Sequence, residues 1–469
     1  MKVKFILPAL TESKGKYWRP IKYSLFPPLG LATLAGYLDA DDEAEIIDEH
    51  VESINLNDSP DLVAIEVYIT AAHHAYAIAD HYRRRGIYVI MGGLHVTALP
   101  HEAARHADTI VLGPAEEAWP RFLHDFRRRQ PHPLYQSLNR TLEHLPPIRR
   151  DLIKRKNYLV PNSIVVSRGC PHSCDFCYKD SFFRGGRSFY TYTLDQALRE
   201  IQSLTGRHLF FLDDNIFGSL RFAHDLFREM IGYKRLWQGA ATVEAIKNQS
   251  LLKTATASGL RSLFIGFESL NQEALRNHNK HHNKIADYEA VIHSLHDLGI
   301  MINASFVFGL EEDNPSVFET TVEWAIKNGI ETATFHILTP YPGTALYDRY
   351  LAAGRIRTSD WNLYDTRHAV FQHPFMSAAQ MENGYWQAYH QFYSWNSILR
   401  SVSRNTTLLN RFRHLIYTGA WKKCEWLWAA VIHLKKLNIA IPILETVLKG
   451  KSPIVNFKED RQLACRREI

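Results

Sequence analysis

The chain has 469 residues, 46% hydrophobic and 22% charged, with a formal net charge of +6, a length that exceeds one ordinary core and sets an expectation of two or three domains. This balance excludes a disordered or fibrous protein, and so mild a charge reads as a solubility property. Five cysteines, three of them within eight residues, argue against a disulfide framework and for a metal or cluster site in a reducing compartment.

From the first residues, Phe5 to Leu10 is too short an apolar run for a signal-peptide core. No window reaches the roughly 18 apolar residues of a membrane span, so the expected location is cytoplasmic. Residues 2 to 125 alternate short strands and helices: strand Lys2 to Pro8, helix Leu29 to Leu38, a strand ending at Glu45 to Asp48, strand LVAIEVYIT from Leu62, helix AHHAYAIADHYRRRG, strand IYVIMGG, strand TIVLG and helix EEAWPRFLHDFRRR. That order predicts a parallel, doubly wound (Rossmann-like) sheet with helices on both faces. RRRQPHP and LPPIRRD are basic and proline-rich without a period, so residues 131–160 read as a linker.

A second alternating series follows. Strand IVVSRG (164–169) leads into the cysteine loop, and the strands HLFFLDD, WQGAAT, RSLFIGFE, MINASFVFGL and TATFHILTP alternate with helical text. Six steps predict a barrel or partial barrel over 161–365, with its active face at the carboxyl ends of the strands. From 366 to 469 the chain reads as helical, aromatic and basic. No internal repeat or low-complexity tract interrupts it.

Cys170, Cys174 and Cys177 form C-x3-C-x2-C. Three thiolates can hold three corners of a 4Fe-4S cube and leave the fourth iron open to a substrate. A zinc site completed by His172 or a distant residue, or three unrelated thiols, are the competing readings; zinc sites usually use paired C-x2-C units, which this loop lacks. With Gly169 before it and Phe176 ahead of the third cysteine, the loop resembles the motif of the radical S-adenosylmethionine (radical SAM) superfamily. The resemblance implies that the open iron chelates the methionine moiety of S-adenosylmethionine and that an electron, from a donor such as flavodoxin or ferredoxin, yields a 5'-deoxyadenosyl radical. By the same resemblance Phe176 packs beside the adenine, and Asp213, Asp214 and Asn215 meet the amino group. Glu268 would meet the ribose, and the backbone of Gly309 and Leu310 the adenine. Taken singly, an acidic strand end is as readily a turn or a helix cap. PYPGTALYD, from Pro340, resembles the close of the family's barrel.

A doubly wound domain over 1–130 ahead of the barrel resembles the cobalamin-binding subgroup, carried by FPPLGLATLAGYL, VIMGGLHVTALPHEA and VLGPAEEAWPRFL. Gly92 and Gly93 end a strand where a corrin or nucleotide tail would approach the backbone, although such a pair is also an ordinary turn. DEHVES nearly matches the D-x-H-x-x-G motif that supplies a cobalt ligand. Ser53 replaces its glycine, however, and Asp48 and His50 follow the second strand rather than the first, so His50 reads as an ordinary loop histidine. The subgroup also binds cobalamin without that ligand.

WQAYHQFYSW, LLNRFRHLIY and WKKCEWLWAAVIHLKKL place aromatic and basic residues on helical text. Such faces cap a barrel or lie in a membrane interface. The second case implies peripheral membrane contact and an apolar small-molecule substrate such as a lipid, isoprenoid or tetrapyrrole. Nothing resembles a nucleic-acid module, and Cys424 and Cys465 are expected as free thiols. The implied activity is cobalamin-dependent C-methylation of an unactivated carbon. Its alternatives are radical cyclisation or rearrangement without methylation, and a non-catalytic iron-sulfur or cobalamin-binding module.

Overall fold

The computed structural model describes residues 1–13, 25–143, 145–405, 407–423, 431 and 445–448. Its first sheet contains β1 (Lys2–Leu7), β2 (Glu43–Asp48), β3 (Leu62–Glu66), β4 (Tyr88–Gly92), β5 (Thr109–Leu112) and β6 (Leu134–Gln136). They are parallel throughout, in the order β2-β1-β3-β4-β5-β6. Strands buried on both faces alternate between two cores. Val3, Phe5, Ala64 and Ile90 pack with helices Leu29–Ala35 and Ala118–Arg127, while Ile6, Val63, Ile65 and Met91 pack with helix Ala72–Arg84. The strand order reverses between β1 and β3, which opens a crevice at their carboxyl ends. β6 lies inside the stretch read as a linker. It is three residues long and preceded by Pro131 and Pro133, too short to show a period.

The second parallel sheet contains β7 (Ser163–Ile164), β10 (His208–Phe211), β11 (Leu236–Ala241), β12 (Leu260–Glu268), β13 (Met301–Phe308) and β14 (Thr332–Ile337), in that order. Helices Leu194–Ser203, Leu220–Met230, Gln249–Ser258, Tyr288–Asp297 and Val317–Lys327 make the crossovers. The order does not return from β14 to β7 among the described residues, so this is a partial (β/α)6 barrel. IVVSRG is not one strand. The chain leaves the sheet after Ile164, and β8 (Ser167–Gly169) pairs antiparallel with β9 (Phe189–Thr191), because the Asp213 carboxylate takes the backbone N–H groups of Val166 and Ser167 at 3.1 and 2.5 Å.

The free edge of β14 is covered by helix Ala378–Phe392 and its end. The N–H of Phe335 donates to the Tyr389 hydroxyl at 3.1 Å, and the Tyr393 hydroxyl accepts from the N–H of Ala333 and donates to its carbonyl at 3.0 and 2.8 Å. An exposed strand edge is thereby closed to further pairing. Helices Trp395–Ser403 and Leu408–Ile416 and the π-helix Tyr417–Lys423 continue to the amino-terminal end of the barrel. There Tyr417 packs with Leu236, Met301 and Leu448. The described part of the carboxyl-terminal region is helical and caps the barrel; most of WKKCEWLWAAVIHLKKL, with Cys424 and Cys465, lies outside the described residues.

The barrel core centres on Trp237, fully buried, stacked on Phe227 with centroids 4.8 Å apart and donating from Nε1 to Ser258 at 3.0 Å. Trp237→Ala is expected to cost roughly 3–5 kcal/mol, read as a lower urea midpoint by far-ultraviolet circular dichroism; an unchanged midpoint contradicts this packing.

Candidate functional site

The cysteine loop is built by local constraints. Gly169 has φ +74, and a Cβ there would stand 2.1 Å from the Ser188 carbonyl oxygen, so glycine is required where β8 meets β9. The N–H of Cys170 donates to that same carbonyl at 3.2 Å, and the N–H of Cys177 donates to the Cys174 carbonyl at 3.1 Å. Between these two cysteines the buried Asp175 rivets the loop to the rest of the barrel. Its carboxylate pairs with His278 Nδ1 at 2.8 Å and accepts from Arg349 Nη1 at 2.9 Å.

Burial pushes the Cys174 thiol up to about 11 and the Cys177 thiol up to about 12. Cys177 also feels both other cysteines, which places the three sulfurs around one space. Among the described residues no three His, Cys, Asp or Glu side chains close on a single ion. Three soft donors held around a wider space fit the corners of a 4Fe-4S cube, and binding iron would offset the cost of the buried thiolates.

At the neighbouring strand ends the expected residues divide. Asn215 is buried with Nδ2 4.0 Å from Cys170 Sγ, and Asp214 is exposed and accepts the Tyr178 hydroxyl at 2.6 Å. Asp213, expected at the methionine moiety, instead turns back onto Val166 and Ser167; burial raises its carboxyl to about 6. Glu268 adopts φ +66, accepts from Lys280 Nζ at 2.6 Å and lies 3.5 Å from Ser305 Oγ. A Cβ on Gly266 would stand 2.2 Å from its Oε1. Lys280 is a buried cation felt by Cys174 and Cys177. Phe176 is half-buried, its ring 5.9 Å from that of His278. Gly309 and Leu310 offer less backbone than expected, since both N–H groups donate to Asp313 Oδ2 at 2.9 and 3.0 Å and Gly309 packs against Phe371 and Met381.

The first sheet's carboxyl edge carries a second site, a cleft lined by Gly30, Glu66, Gly92 and Gly93 from that domain and by Val165 and Arg168 from the chain entering the cysteine loop. Gly93 has φ +106 and no room for a Cβ, which would meet Val67 backbone atoms at 3.0 Å. The absence of side chains along this rim, with apolar walls from Leu29, Ala64 and Val111, fits the flat face of a corrin. Arg168 donates from Nε to Glu116 at 2.9 Å and ties the two domains together. Burial raises the Glu66 carboxyl, which hydrogen-bonds Tyr68. His50 takes no part: Nδ1 pairs with Asp48 at 2.8 Å, and Nε2 accepts from the N–H of Leu10 at 3.1 Å.

Asp175, Tyr178, Lys280, Arg168, Glu66 and Tyr68 were not anticipated. Only adjacency to a cysteine could have marked Asp175 and Tyr178.

Residues 164–325 match the model of the radical SAM superfamily, and residues 23–123 match that of the B12 binding domain. The chain is 28% identical over 355 residues to a bacteriochlorophyllide d C-12(1)-methyltransferase of Chlorobaculum tepidum, covering 73% of this chain and 76% of that protein. A bacteriochlorophyllide d C-8(2)-methyltransferase of the same organism is 27% identical over 466 residues, with 91% and 97% covered. The fold is similar to that of the cobalamin-dependent S-adenosylmethionine radical enzyme OxsB, with a TM-score of 0.66, 12% identity, and 93% and 76% of the two chains covered. No helix among the described residues is long and apolar enough to cross a membrane.

In apoprotein, the raised thiols predict that iodoacetamide alkylates Cys174 and Cys177 at pH 8 more than about tenfold slower than free cysteine, whose pKa is about 8.5. The rate should climb as the pH approaches 11. Peptide mass spectrometry reads both sites, and a rate equal to that of free cysteine contradicts their burial.

Proposed function

This chain belongs to the radical SAM superfamily and carries an amino-terminal B12-binding domain, and on that premise we propose that it is a cobalamin-dependent C-methyltransferase acting on an apolar small molecule. Cys170, Cys174 and Cys177 hold a 4Fe-4S cluster in this reading. The bound cofactors supply a 5'-deoxyadenosyl radical that removes hydrogen from an unactivated carbon, a methyl group to replace it, and a second S-adenosylmethionine to restore the methyl donor.

The chain's own residues divide the remaining work. Asp175 fixes the loop, so the cysteine thiols are held in place before iron binds and displaces their protons. Asn215, Asp214 and the Glu268–Lys280 pair present polar groups at two strand ends, where the amino, carboxylate and ribose groups of S-adenosylmethionine need partners. Gly30, Gly92 and Gly93 let the corrin approach the backbone, and Phe176 offers an apolar face for the adenine. One observation carries the reading: the wall of the B12-type cleft includes Val165 and Arg168, and Arg168 stands two residues before Cys170. Radical source and methyl source therefore face one space.

Similarity to two bacteriochlorophyllide methyltransferases supports methylation and a substrate of tetrapyrrole or other apolar type, such as an isoprenoid. A cytoplasmic location and an electron donor of the flavodoxin or ferredoxin kind complete the proposal. Peripheral membrane contact is supported by Trp395, Leu399, Leu408 and Phe412, exposed by 51, 57, 82 and 62%, near the exposed Arg404 and Arg411. An apolar surface with cations beside it suits an anionic bilayer.

The decisive experiment is anaerobic incubation of the reconstituted protein with S-adenosylmethionine, dithionite and cell extract as substrate source. Methylation yields 5'-deoxyadenosine and S-adenosylhomocysteine together; 5'-deoxyadenosine alone indicates cyclisation or rearrangement, and neither product overturns the enzymatic reading. Cys174→Ala should lose the brown cluster absorbance and both products. For the membrane surface, Leu408→Glu with Phe412→Glu should at least halve co-sedimentation with phosphatidylglycerol vesicles, by about twofold or more; undiminished binding rejects that contact.

A further inference from the structure

Alternate residues of the barrel strands point into its interior, and in a filled barrel they pack it solid. Here Phe210, Leu212, Ala240, Phe264 and Asn303 are only half-buried although they lie inside the barrel. They line an internal cavity of about 310 Å3. Its floor is formed by Leu25, Phe26, Val160 and Tyr417, and its other end reaches Leu212 and Asp213, directly below the strand end that carries Asp214 and Asn215.

The polar groups in this wall are engaged with protein except Asn303 Oδ1, which has no hydrogen-bond partner among the described residues. Gln238 Nε2 lies 2.8 Å from His208 Nε2, and burial pushes that histidine down to about 4, so it is neutral. Ser262 is hydrogen-bonded to the Tyr417 hydroxyl, and the Asp213 carboxylate is taken by Val166 and Ser167. Ordered water needs two to four polar partners, whereas an apolar cavity of this kind favours an apolar guest.

We propose that this chamber binds a hydrocarbon chain of the substrate, which runs down the barrel axis while the reacting carbon stays at the Asp214–Asn215 end. The cavity is about twice the ~150 Å3 one that holds benzene, so it accommodates on the order of a dozen carbons. The inference rests on the radical methylation reading and refines it. It assigns a subsite that selects substrates by chain length, remote from the groups that meet S-adenosylmethionine.

The test titrates the reconstituted full-length protein with 1,6-diphenylhexatriene, a rod-shaped hydrocarbon that fluoresces in apolar enclosures, and then displaces it with n-alcohols from octanol to hexadecanol. Saturable one-to-one binding with an optimum near dodecanol is expected. Ala240→Phe, which fills the chamber, should weaken dye binding by about tenfold or more, with the cluster absorbance as the check that it has folded. Phe264→Ala, which enlarges the chamber, should move the optimum to longer alcohols and decides the matter if the first variant does not fold. Phe375→Ser, at an exposed surface site, should bind the dye as wild type does. Absence of saturable binding, undiminished binding by a folded Ala240→Phe protein, or an unshifted optimum in Phe264→Ala overturns the proposal. S-adenosylmethionine cleavage is measured on the same samples. Its failure alongside intact, length-selective binding rejects the radical reading and not the chamber, and the converse result rejects only the chamber.

Discussion

At the end of β10 the carboxylate of Asp213 takes the N–H groups of Val166 and Ser167, just after Leu212 has closed the last ladder bond to Ile164 at 2.8 Å. Those two N–H groups can no longer continue the parallel sheet, so the chain lifts away from the barrel. The lift sends Arg168 across to Glu116 in the first domain and directs Gly169 into β8, from which the cysteine loop begins. A buried carboxylate is costly unless it is fully hydrogen-bonded. Donors from Val166 N–H, Ser167 N–H and the Ser167 hydroxyl meet that requirement. One side chain thus sets the departure of β7, the domain contact and the aim of the cysteines.

The open form of the barrel follows from how its last edge is satisfied. Tyr389 and Tyr393 take up backbone groups of β14, so the edge does not need β7. Closure at the opposite end comes from Tyr417 and its neighbours. An interior bordered by a cap, rather than filled by its own strands, can retain space, and the half-buried Phe210 and Phe264 record that space.

Much of this was legible in the sequence because the signals are local. Two alternating series, the three cysteines and the glycine pair after β4 each fit within a few residues, and they predicted the two sheets and the position of the loop. What escaped depends on contacts made at long sequence separation. Asp213 looks like its neighbour Asp214, but its partners lie 46 and 47 residues upstream; no spacing rule separates a carboxylate that faces a cofactor from one that pins a strand. Lys280 reaches Glu268 from a loop with no period, and Asp175 meets Arg349 from 174 residues away. The aromatic text after 378 was ambiguous for a related reason. A helical face of Tyr and Trp suits a barrel edge and a bilayer equally well, and only the hydroxyl contacts of Tyr389 and Tyr393 assign part of it to the edge.

A single substrate carbon must lose hydrogen to one cofactor and gain methyl from another, so both must reach it without the substrate leaving. Flexible domains would make that encounter rare, and an effective concentration falls quickly once a reacting pair is allowed to drift. Here drift is opposed at both ends of one short segment. Arg168 is fastened to Glu116, and Asp175, seven residues on, is fastened to His278 and Arg349. Close to one another near this segment stand the pairs Glu66–Tyr68 and Asp214–Tyr178, each a carboxyl group meeting a phenol whose proton burial and the nearby charge retain. Asp214 and Tyr68 are exposed, so the exclusion of bulk water that a radical selecting one carbon–hydrogen bond requires falls to the bound cofactors and substrate. The short tether between the domains is therefore part of the chemistry: it keeps the cysteine loop beside the carboxyl edge of the first sheet.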